Sequence, residues 1–473
     1  MVGARWLVAA SALSLLTFAA AARAQPPEAP DDKAREVAAK PPPESVDKKP
    51  VRSDEARGYE TEPPTEPEDI ALLVPRAVLA VPRYALKLVF WPVREGVRFV
   101  DKHALVEKVT DFLYNDARTA AVLPTFRLDS YFGPSFGLKA FHEDLAGHQE
   151  YGSVEARFGG VYQAAAQLHF RADRFGGSDL WLESLSRYES EPALLFQGIG
   201  NRDATSGGSE LAPRDAAVAT RFSQQRYLGL LRAGVTFGRP GEMLQLGVTG
   251  VYNVRDFGPK RKGDELSIEQ VYDTSLLVGF DERVPTLETD INVIVDLRDV
   301  AGATASGAYL ELFGGYVPRL GNYAFWHHGA ELTGYVNLYR RTRVLVLRGV
   351  VEGVEGQDDD IPFSSLPRLG GTQRLRGYPQ DRFRDEKVLV GTAEYRYPIH
   401  QYVAGALFLD AGRVARSYAA LFDGAWQVGG GGGFVVRSRD RQLFAVSVAY
   451  GEGIHFHLTT EPLRALSERE TEL

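Results

Sequence analysis

Three charged residues in the last third of the chain have the types and spacing of a buried ion-pair site. Arg376 precedes Gly377 and Tyr378 in a long stretch without strand periodicity, and Glu394 and Asp410 lie in the next two strand-like segments. Counting by two along each segment places both acids on its polar face. One guanidinium can bond two carboxylates in a fixed fork, which makes these three residues candidates for one ion-pair site. Gly377 lets the chain turn tightly beside it.

Other polar clusters are weaker candidates for a reactive site. The five glycines at 429–433 lack the Lys-Ser/Thr ending of a phosphate-binding loop, and they favour a bent strand that leaves room for a neighbouring loop. His455 and His457 share a strand face and His327 and His328 are adjacent, but neither pair has a third metal ligand near it in sequence. We therefore expect no metal site.

Composition excludes several classes of protein. The chain has 473 residues, 44% of them hydrophobic, and no cysteine, which excludes a disulfide scaffold, a thiolate zinc site and a cysteine nucleophile. A formal charge of −8 gives no basic excess for nucleic-acid binding. Neither a nucleophile elbow nor a paired-acid site stands in the sequence, and the Ser-Gly-Gly-Ser stretch at 206–209 is typical of a loop. We expect no enzyme activity and no cofactor.

The N-terminus predicts export. Arg5 is followed by an apolar run over 6–22, and Ala22-Arg23-Ala24 precedes Gln25. A positive start, a short apolar core and an A-x-A site are typical of a secretory signal, here 1–24. A membrane anchor is the alternative, although the run is a little short for a span.

Two segments separate this signal from the region of strand periodicity. Residues 25–69 are rich in Pro and charge and poor in large apolar residues, which is typical of a disordered tether. Residues 70–124 show near-helical apolar spacing interrupted by Pro75, Pro82 and Pro92, which predicts short amphipathic helices. These helices could lie on a membrane surface, pack across a barrel mouth or form a small subdomain.

From about 125 to 460 the period is two. Along 162–171, for example, apolar residues alternate with Gln163, Gln167, His169 and Arg171. Segments of about ten residues with one apolar face cross a bilayer when tilted, whereas strands of soluble sandwiches are shorter. A sheet in hydrocarbon must close on itself to satisfy its edges. We therefore predict an all-β fold, a sixteen-stranded antiparallel transmembrane β-barrel with a short helical N-terminal segment.

Short and long links alternate between the strands, as short periplasmic turns alternate with long external loops in such barrels. The long links are 191–217, 257–286 and 355–386, and sixteen strands are predicted. Their predicted starts lie near 125, 135, 153, 162, 180, 218, 242, 287, 306, 324, 342, 387, 401, 424, 441 and 454. A charged tail, 461–473, follows the last strand.

Three motifs in order resemble the BamA/TamA-type outer-membrane assembly superfamily, also called the bacterial surface antigen family. They are Leu375-Arg376-Gly377-Tyr378, the strand 390–398 with Glu394, and Phe408-Leu409-Asp410-Ala411-Gly412. The stretch Asp296-Leu297-Arg298-Asp299 looks like the family's D-x-R-D turn. The resemblance implies a sixteen-stranded barrel whose sixth external loop folds into the lumen. There the loop-tip arginine, here Arg376, meets acids on strands twelve and thirteen, here Glu394 and Asp410.

The chain departs from the family pattern at both ends. Its best-known members carry periplasmic POTRA modules, but no such strand pattern stands in 25–124, so the chain resembles the branch that lacks them. Members often end on an aromatic insertion signal, whereas here Phe456 and Leu458 would have to supply it internally.

These observations leave two functions open for a chain in the outer membrane of a Gram-negative bacterium. The first is aid to protein or lipid insertion or translocation through a weak seam between strands one and sixteen, with an Arg376 loop lock sealing the lumen. The second is a passive pore or a structural barrel without transport work. Arg376 could also be one more arginine in a web of lumen salt bridges, and a lock could be purely structural.

The expected partners follow from the location. They are outer-membrane lipids, lipopolysaccharide and a periplasmic client protein or lipid, without nucleic acid; the oligomeric state stays open. The acidic run Asp358–Asp360 could meet divalent ions beside lipopolysaccharide, but a solvated loop is favoured.

Overall fold

The computed structural model describes residues 113–459 apart from short gaps at 118, 130–132, 149, 162, 202–218, 240–241, 301–303, 401–402 and 438–441. Nineteen strands lie in these residues. They are β1 (Ala120–Asp129), β2 (Gly133–His142), β3 (Tyr151–Gly159), β4 (Ala164–Ala172), β5 (Leu180–Phe196), β6 (Thr220–Arg239), β7 (Glu242–Pro259), β8 (Leu266–Ser267), β9 (Val284–Asp296), β10 (Gly307–Val317), β11 (Phe325–Tyr339), β12 (Arg343–Glu355), β13 (Arg368–Leu369), β14 (Phe383–Arg384), β15 (Lys387–His400), β16 (Val403–Ala415), β17 (Gln427–Arg437), β18 (Gln442–Tyr450) and β19 (Ile454–Thr459).

One sheet contains seventeen of the nineteen strands. Its long strands pair antiparallel in chain order from β1 to β7, then through β9 to β12 and β15 to β19. The two-residue strand β8 pairs parallel with β6, and β13 pairs with β14 in a separate small sheet. The predicted all-β class and antiparallel pairing are confirmed.

The first strand begins earlier than expected. β1 starts at Ala120, not near 125, so the segment assigned to short helices, 70–124, ends before that point. The prediction failed because Ala120 to Leu123 shows no polar–apolar alternation and Pro124 looks like a breaker. Proline lacks an N–H but is tolerated in an edge strand, and among the described strands β1 is in register with β2 alone.

Burial along the sheet is inverted relative to that of a soluble protein. On β11 the acid Glu331 is 5% exposed and Thr333 3%, whereas Leu332 between them is 55% exposed. Glu311 on β10 and Asp410 on β16 are likewise buried, while Leu312 and Leu409 beside them are exposed. The polar face of the sheet is therefore the enclosed one, and its apolar face points outwards.

Three strands are much longer than the expected ten or so residues. β5, β6 and β7 run for 17, 20 and 18 residues. Their distal ends carry aromatic rings that are buried with rings from the long links, which explains the added length. This loop-side aromatic cluster contains Phe196, Phe222, Phe257, Phe280 and Phe363, with ring centroids 4.8 to 6.3 Å apart.

Several predictions fall outside the described residues: the signal peptide at 1–24, the tether at 25–69, most of the helices expected in 70–124, and the tail at 461–473. Within the described part of the chain, no helix has the length and hydropathy to span a bilayer.

Candidate functional site

The structure brings Arg376, Glu394 and Asp410 together. Arg376 lies in the loop between β12 and β15, residues 356–386, which we call loop six. Its Nε and Nη2 donate to the two oxygens of Asp410, each over 2.9 Å, and its Nη1 donates to Glu394 Oε2 over 2.7 Å. The backbone N–H of Arg376 also donates to Asp410, over 3.0 Å. All three side chains are largely buried.

Strand register explains why one guanidinium reaches both acids. In the β15–β16 pair, Thr392 lies opposite Asp410 and Glu394 lies opposite Phe408. The two acids are therefore diagonal neighbours on one face, within reach of a long side chain. Thr392 donates to Asp410 over 2.9 Å, and Arg396 donates to Glu394 over 2.8 Å. Each carboxylate thus has a second partner that holds its orientation.

An aromatic ring lies beneath the arginine. The Phe408 ring centroid is 3.5 Å from the Arg376 guanidinium carbon, a cation–π contact. Phe408 lies opposite Gly431 of β17, and a Cβ at Gly431 would come within 2.9 Å of this ring. The ring therefore lies across a position where no side chain fits. The glycines at 429–433 keep an unbroken register with β16, and a Cβ at Gly429 would lie 3.4 Å from the Arg376 carbonyl oxygen.

Gly377 and Tyr378 close the tip of loop six against the last strands. Gly377 has φ +131°, and a Cβ there would lie 2.7 Å from the Tyr450 carbonyl oxygen. The Tyr378 hydroxyl group lies 3.3 Å from the carbonyl oxygen of Val428 on β17. The loop tip therefore packs against β17 and the end of β18, whereas the Arg376 side chain bonds β15 and β16.

Further ion pairs attach loop six to other strands. Arg374 bonds Glu352 of β12. Arg348 on the same strand donates to Glu331 over 2.8 and 2.9 Å and also to the Gln373 carbonyl oxygen over 2.6 Å. These contacts bind the base of the tip to the wall formed by β11 and β12.

Two adjoining polar cavities lie on the enclosed face of the sheet. One, of about 300 Å³, is lined by charged side chains from β4 to β12 that include Glu183 and Arg298. The other, of about 170 Å³, lies between the enclosed face of the sheet and loop six, next to Arg368 and Asp381. The two share Arg232, Thr249 and Asn292, so they adjoin.

The remaining sequence candidates are placed as follows. In the D-x-R-D stretch, Asp296 accepts from Arg298 over 2.8 and 2.7 Å. Of the three aspartates at 358–360, Asp358 is bonded by Arg416 and Asp360 by Arg319, so the run is partly neutralised.

The histidine pairs lie in different settings. The rings of His455 and His457 stack 6.2 Å apart on β19. His327 Nε2 is 2.7 Å from an Asp290 oxygen on the enclosed face, and His328 contacts Tyr418. Among the described residues, no three His, Asp or Glu side chains are grouped as metal ligands would be.

A comparison with protein families decides where the chain belongs. The Omp85 superfamily domain matches residues 144–464. This chain belongs to the Omp85 superfamily. No curated protein matches it in sequence.

Solved structures of Omp85-type proteins resemble this chain. BamA from Haemophilus ducreyi lacking POTRA domains 1–3 is 12% identical with a TM-score of 0.50, over 72% of this chain and 69% of that one. CdiB from Escherichia coli is 10% identical with a TM-score of 0.48, over 72% and 61%. CdiB from Acinetobacter baumannii is 10% identical with a TM-score of 0.40, over 71% and 56%. At 12% identity, the likeness to BamA shows the fold alone.

Sequence reasoning missed part of the site. Phe408 stands in the quoted motif without a role, and no role was predicted for Arg396. The pairing of Arg382 with Glu452 was not foreseen at all. Alternation identifies the face of a residue, but it carries no signal for contacts between a loop and a distant turn.

Proposed function

We propose that this chain is an outer-membrane β-barrel of the BamA/TamA type that aids insertion or translocation of a periplasmic client protein or lipid. Membership of the Omp85 superfamily supports the outer-membrane location in a Gram-negative bacterium. The inverted burial of the sheet supports it independently, because exposed leucines beside buried acids suit hydrocarbon outside and water inside. No step of this function needs a catalytic residue.

Closure of the sheet into a sixteen-stranded barrel, not counting the two-residue strand β8, is part of the proposal. Cα atoms of β1 and β19 approach within 8 Å, as they must if the first and last strands meet. Their junction is the weak seam: β1 contains Pro124 and β19 is six residues long. Short or interrupted edge strands pair poorly, so the wall opens there at the lowest cost.

The observation that carries the proposal is the bonding of Arg376 to Glu394 and Asp410. A loop tip that is held in the lumen by a buried, doubly paired guanidinium would obstruct a pore. An assembly barrel needs such a lock, because the lumen must stay sealed while the seam opens.

A passive pore or structural barrel is the second candidate, and the two adjoining polar cavities favour it. Against it stands the loop-side aromatic cluster, which packs rings from β5, β6, β7 and loop six over the end of the sheet from which the long loops project. Planar-bilayer recordings separate the two. A steady open conductance in the unmodified protein favours the pore, and brief or absent conductance favours the assembly barrel.

Seam cross-linking tests the assembly function directly. The chain has no cysteine, so pairs introduced on β1 and β19 are the only thiols. We expect oxidation of such a pair to abolish the ability of the protein to restore the envelope of a deletion strain, and reductant to rescue it. A pair joining β11 to β12 is the control, and should be harmless. Full complementation with the seam closed contradicts the proposal.

A further inference from the structure

Loop six is also tied to the turn that joins the last two strands. That turn is residues 451–453, between β18 and β19. Arg382 of loop six donates through Nε and Nη2 to the two carboxylate oxygens of Glu452, over 2.6 and 3.0 Å. The arginine side chain is 3% exposed and that of Glu452 is 32% exposed. A two-point, charge-assisted contact of this kind fixes both position and direction.

The backbones of the loop and the turn are in contact as well. The N–H of Glu452 donates to the Gly377 carbonyl oxygen over 2.9 Å. A Cβ on Gly451 would lie 2.6 Å from a Tyr378 ring carbon and 2.7 Å from the same carbonyl. Since Gly377 likewise has no room for a Cβ against Tyr450, two glycines allow the loop tip and the turn to touch. Loop six and the turn each contribute one glycine to this contact, Gly377 and Gly451.

The other ion pairs that attach loop six to strands end in elements outside the β18–β19 hairpin. Arg376 bonds β15 and β16, and Arg374 bonds β12. Among the described residues, Arg382–Glu452 is the loop-six ion pair that ends in the β18–β19 hairpin. Within the same residues, the hydrogen-bonded strand neighbour of β19 is β18, over six residue pairs. Displacement of β19 with its turn therefore pulls on Glu452.

We propose that Arg382 and Glu452 form a hairpin latch. The latch positions β19 at the seam and couples its movement away from β1 to the release of loop six from Glu452. This inference rests on the proposed function, because it assigns the latch to the strand that borders the seam. Arg376 attaches loop six to β15 and β16, and Arg382 attaches the same loop to the turn that precedes β19.

Distance measurements across the seam test the latch. Val122 on β1 and Phe456 on β19 are both exposed on the outer face, and the cysteine-free chain allows each to be replaced by a spin-labelled cysteine. The labelled full chain in lipid vesicles reports the distribution of seam distances. We expect Glu452→Gln to increase the separated fraction roughly tenfold, on the order expected when charge-assisted hydrogen bonds are lost.

The control breaks a different external ion pair. Asp358→Asn removes the exposed contact with Arg416, which joins loop six to the β16–β17 link. We expect it to leave the distances unchanged. Arg382→Gln should act like Glu452→Gln, and the double variant should act like either single one, because the two residues work through each other.

Three results overturn the latch. They are unchanged distances in Glu452→Gln, an equal shift in Asp358→Asn, or a seam that is already separated in the unmodified chain. The complementation assay with a closed seam judges the proposed function separately. If the distance measurements contradict the latch, the proposed function is not affected. If a cross-linked seam still allows full complementation, the proposed function is wrong, whatever the distances show.

Discussion

Each nitrogen of the Arg376 guanidinium donates to a carboxylate, and its face rests on the Phe408 ring. Lysine could satisfy the charge but not this geometry, since it lacks both the fork and the flat face. Asp410 depends on the arginine more than Glu394 does, because Glu394 also pairs with Arg396, whereas the second partner of Asp410 is the Thr392 hydroxyl group. Without it, Glu394 and Asp410 would be buried like charges at neighbouring positions.

Arg376→Ala therefore tests the lock. We expect a loss of about 3–5 kcal/mol of folding free energy, because the variant leaves the buried Asp410 carboxylate without its arginine partner. The readout is the fraction that migrates as folded protein on unheated gels, compared with Arg416→Ala, which removes the ion pairs of an exposed arginine with Asp358 and Glu386. A variant that folds and complements like the parent chain would make the lock dispensable.

Gly377→Ala tests the close approach of the loop tip. The new Cβ would lie 2.7 Å from the Tyr450 carbonyl, in a residue whose φ of +131° is unfavourable for alanine. We expect the loop tip to withdraw, which a protease should detect as faster cleavage within loop six. Gly349→Ala on β12 is the matched control, because a Cβ there meets nothing within 4 Å. Equal cleavage of the two variants would refute the close-approach argument.

Loop six behaves as an element with its own core and its own charges. Leu369, Leu375 and Phe383 are fully or almost fully buried, and they pack with Val388 and Val414 of the adjacent strands. Partial burial raises the pKa of Asp385 to about 6, and the nearby Glu386 carboxylate acts in the same direction. The docked loop thus holds one acid that prefers its neutral form.

The pH dependence of loop docking follows from that shift. An acid whose pKa is higher in the folded than in the unfolded state stabilises the fold fully below its ordinary pKa, about 3.8, and this contribution is lost as pH rises through about 6. Asp385→Asn should therefore gain thermal stability relative to the parent chain between about pH 4 and about pH 7. Melting followed by gel mobility measures it, with Asp359→Asn in the same loop as control. A stability difference that stays flat over this range would contradict the assignment.

The glycines of β17 were predicted from the sequence to leave room for a neighbouring loop, and the structure adds that Phe408 of the adjacent strand also lies against them. A run of glycines normally weakens a strand, yet here the register with β16 is continuous from 429 to 433. The lost side chains make room for Phe408 and the loop tip. The glycines lower the intrinsic stability of β17, but they allow Phe408 and the tip of loop six to pack against this strand.

The molecule as a whole turns its apolar surface outwards. This arrangement is stable only where the surroundings are apolar too, because exposed Leu332, Leu407 and Leu409 would otherwise form a patch prone to aggregation. The acids and arginines inside are almost all paired, which is how buried charges are tolerated.

Depth along β11 gives a prediction for the whole barrel. Leu332 lies in the middle of the strand and Leu338 close to its end, and both are exposed. Leu332→Arg should cost about 2–4 kcal/mol of folding free energy in vesicles and Leu338→Arg at most about 1. Denaturant titration of tryptophan fluorescence measures both. Equal costs would mean that this face is not in contact with hydrocarbon.

The sequence by itself determined the strands and their faces, because the alternation of polar and apolar residues can be recognised within each short segment. Predicted starts at 180, 242, 387 and 454 match β5, β7, β15 and β19. Local patterns failed where a strand does not alternate, as at the start of β1.

The tertiary structure decided which residues meet. Alternation placed Glu394 and Asp410 on a polar face, but their sharing of Arg376 depended on strand register and on the path of loop six. The Phe408–Gly431 and Arg382–Glu452 contacts join positions far apart in the chain. Such contacts arise from the curvature of the sheet and the fit of the loop within it, and no spacing along the chain encodes either.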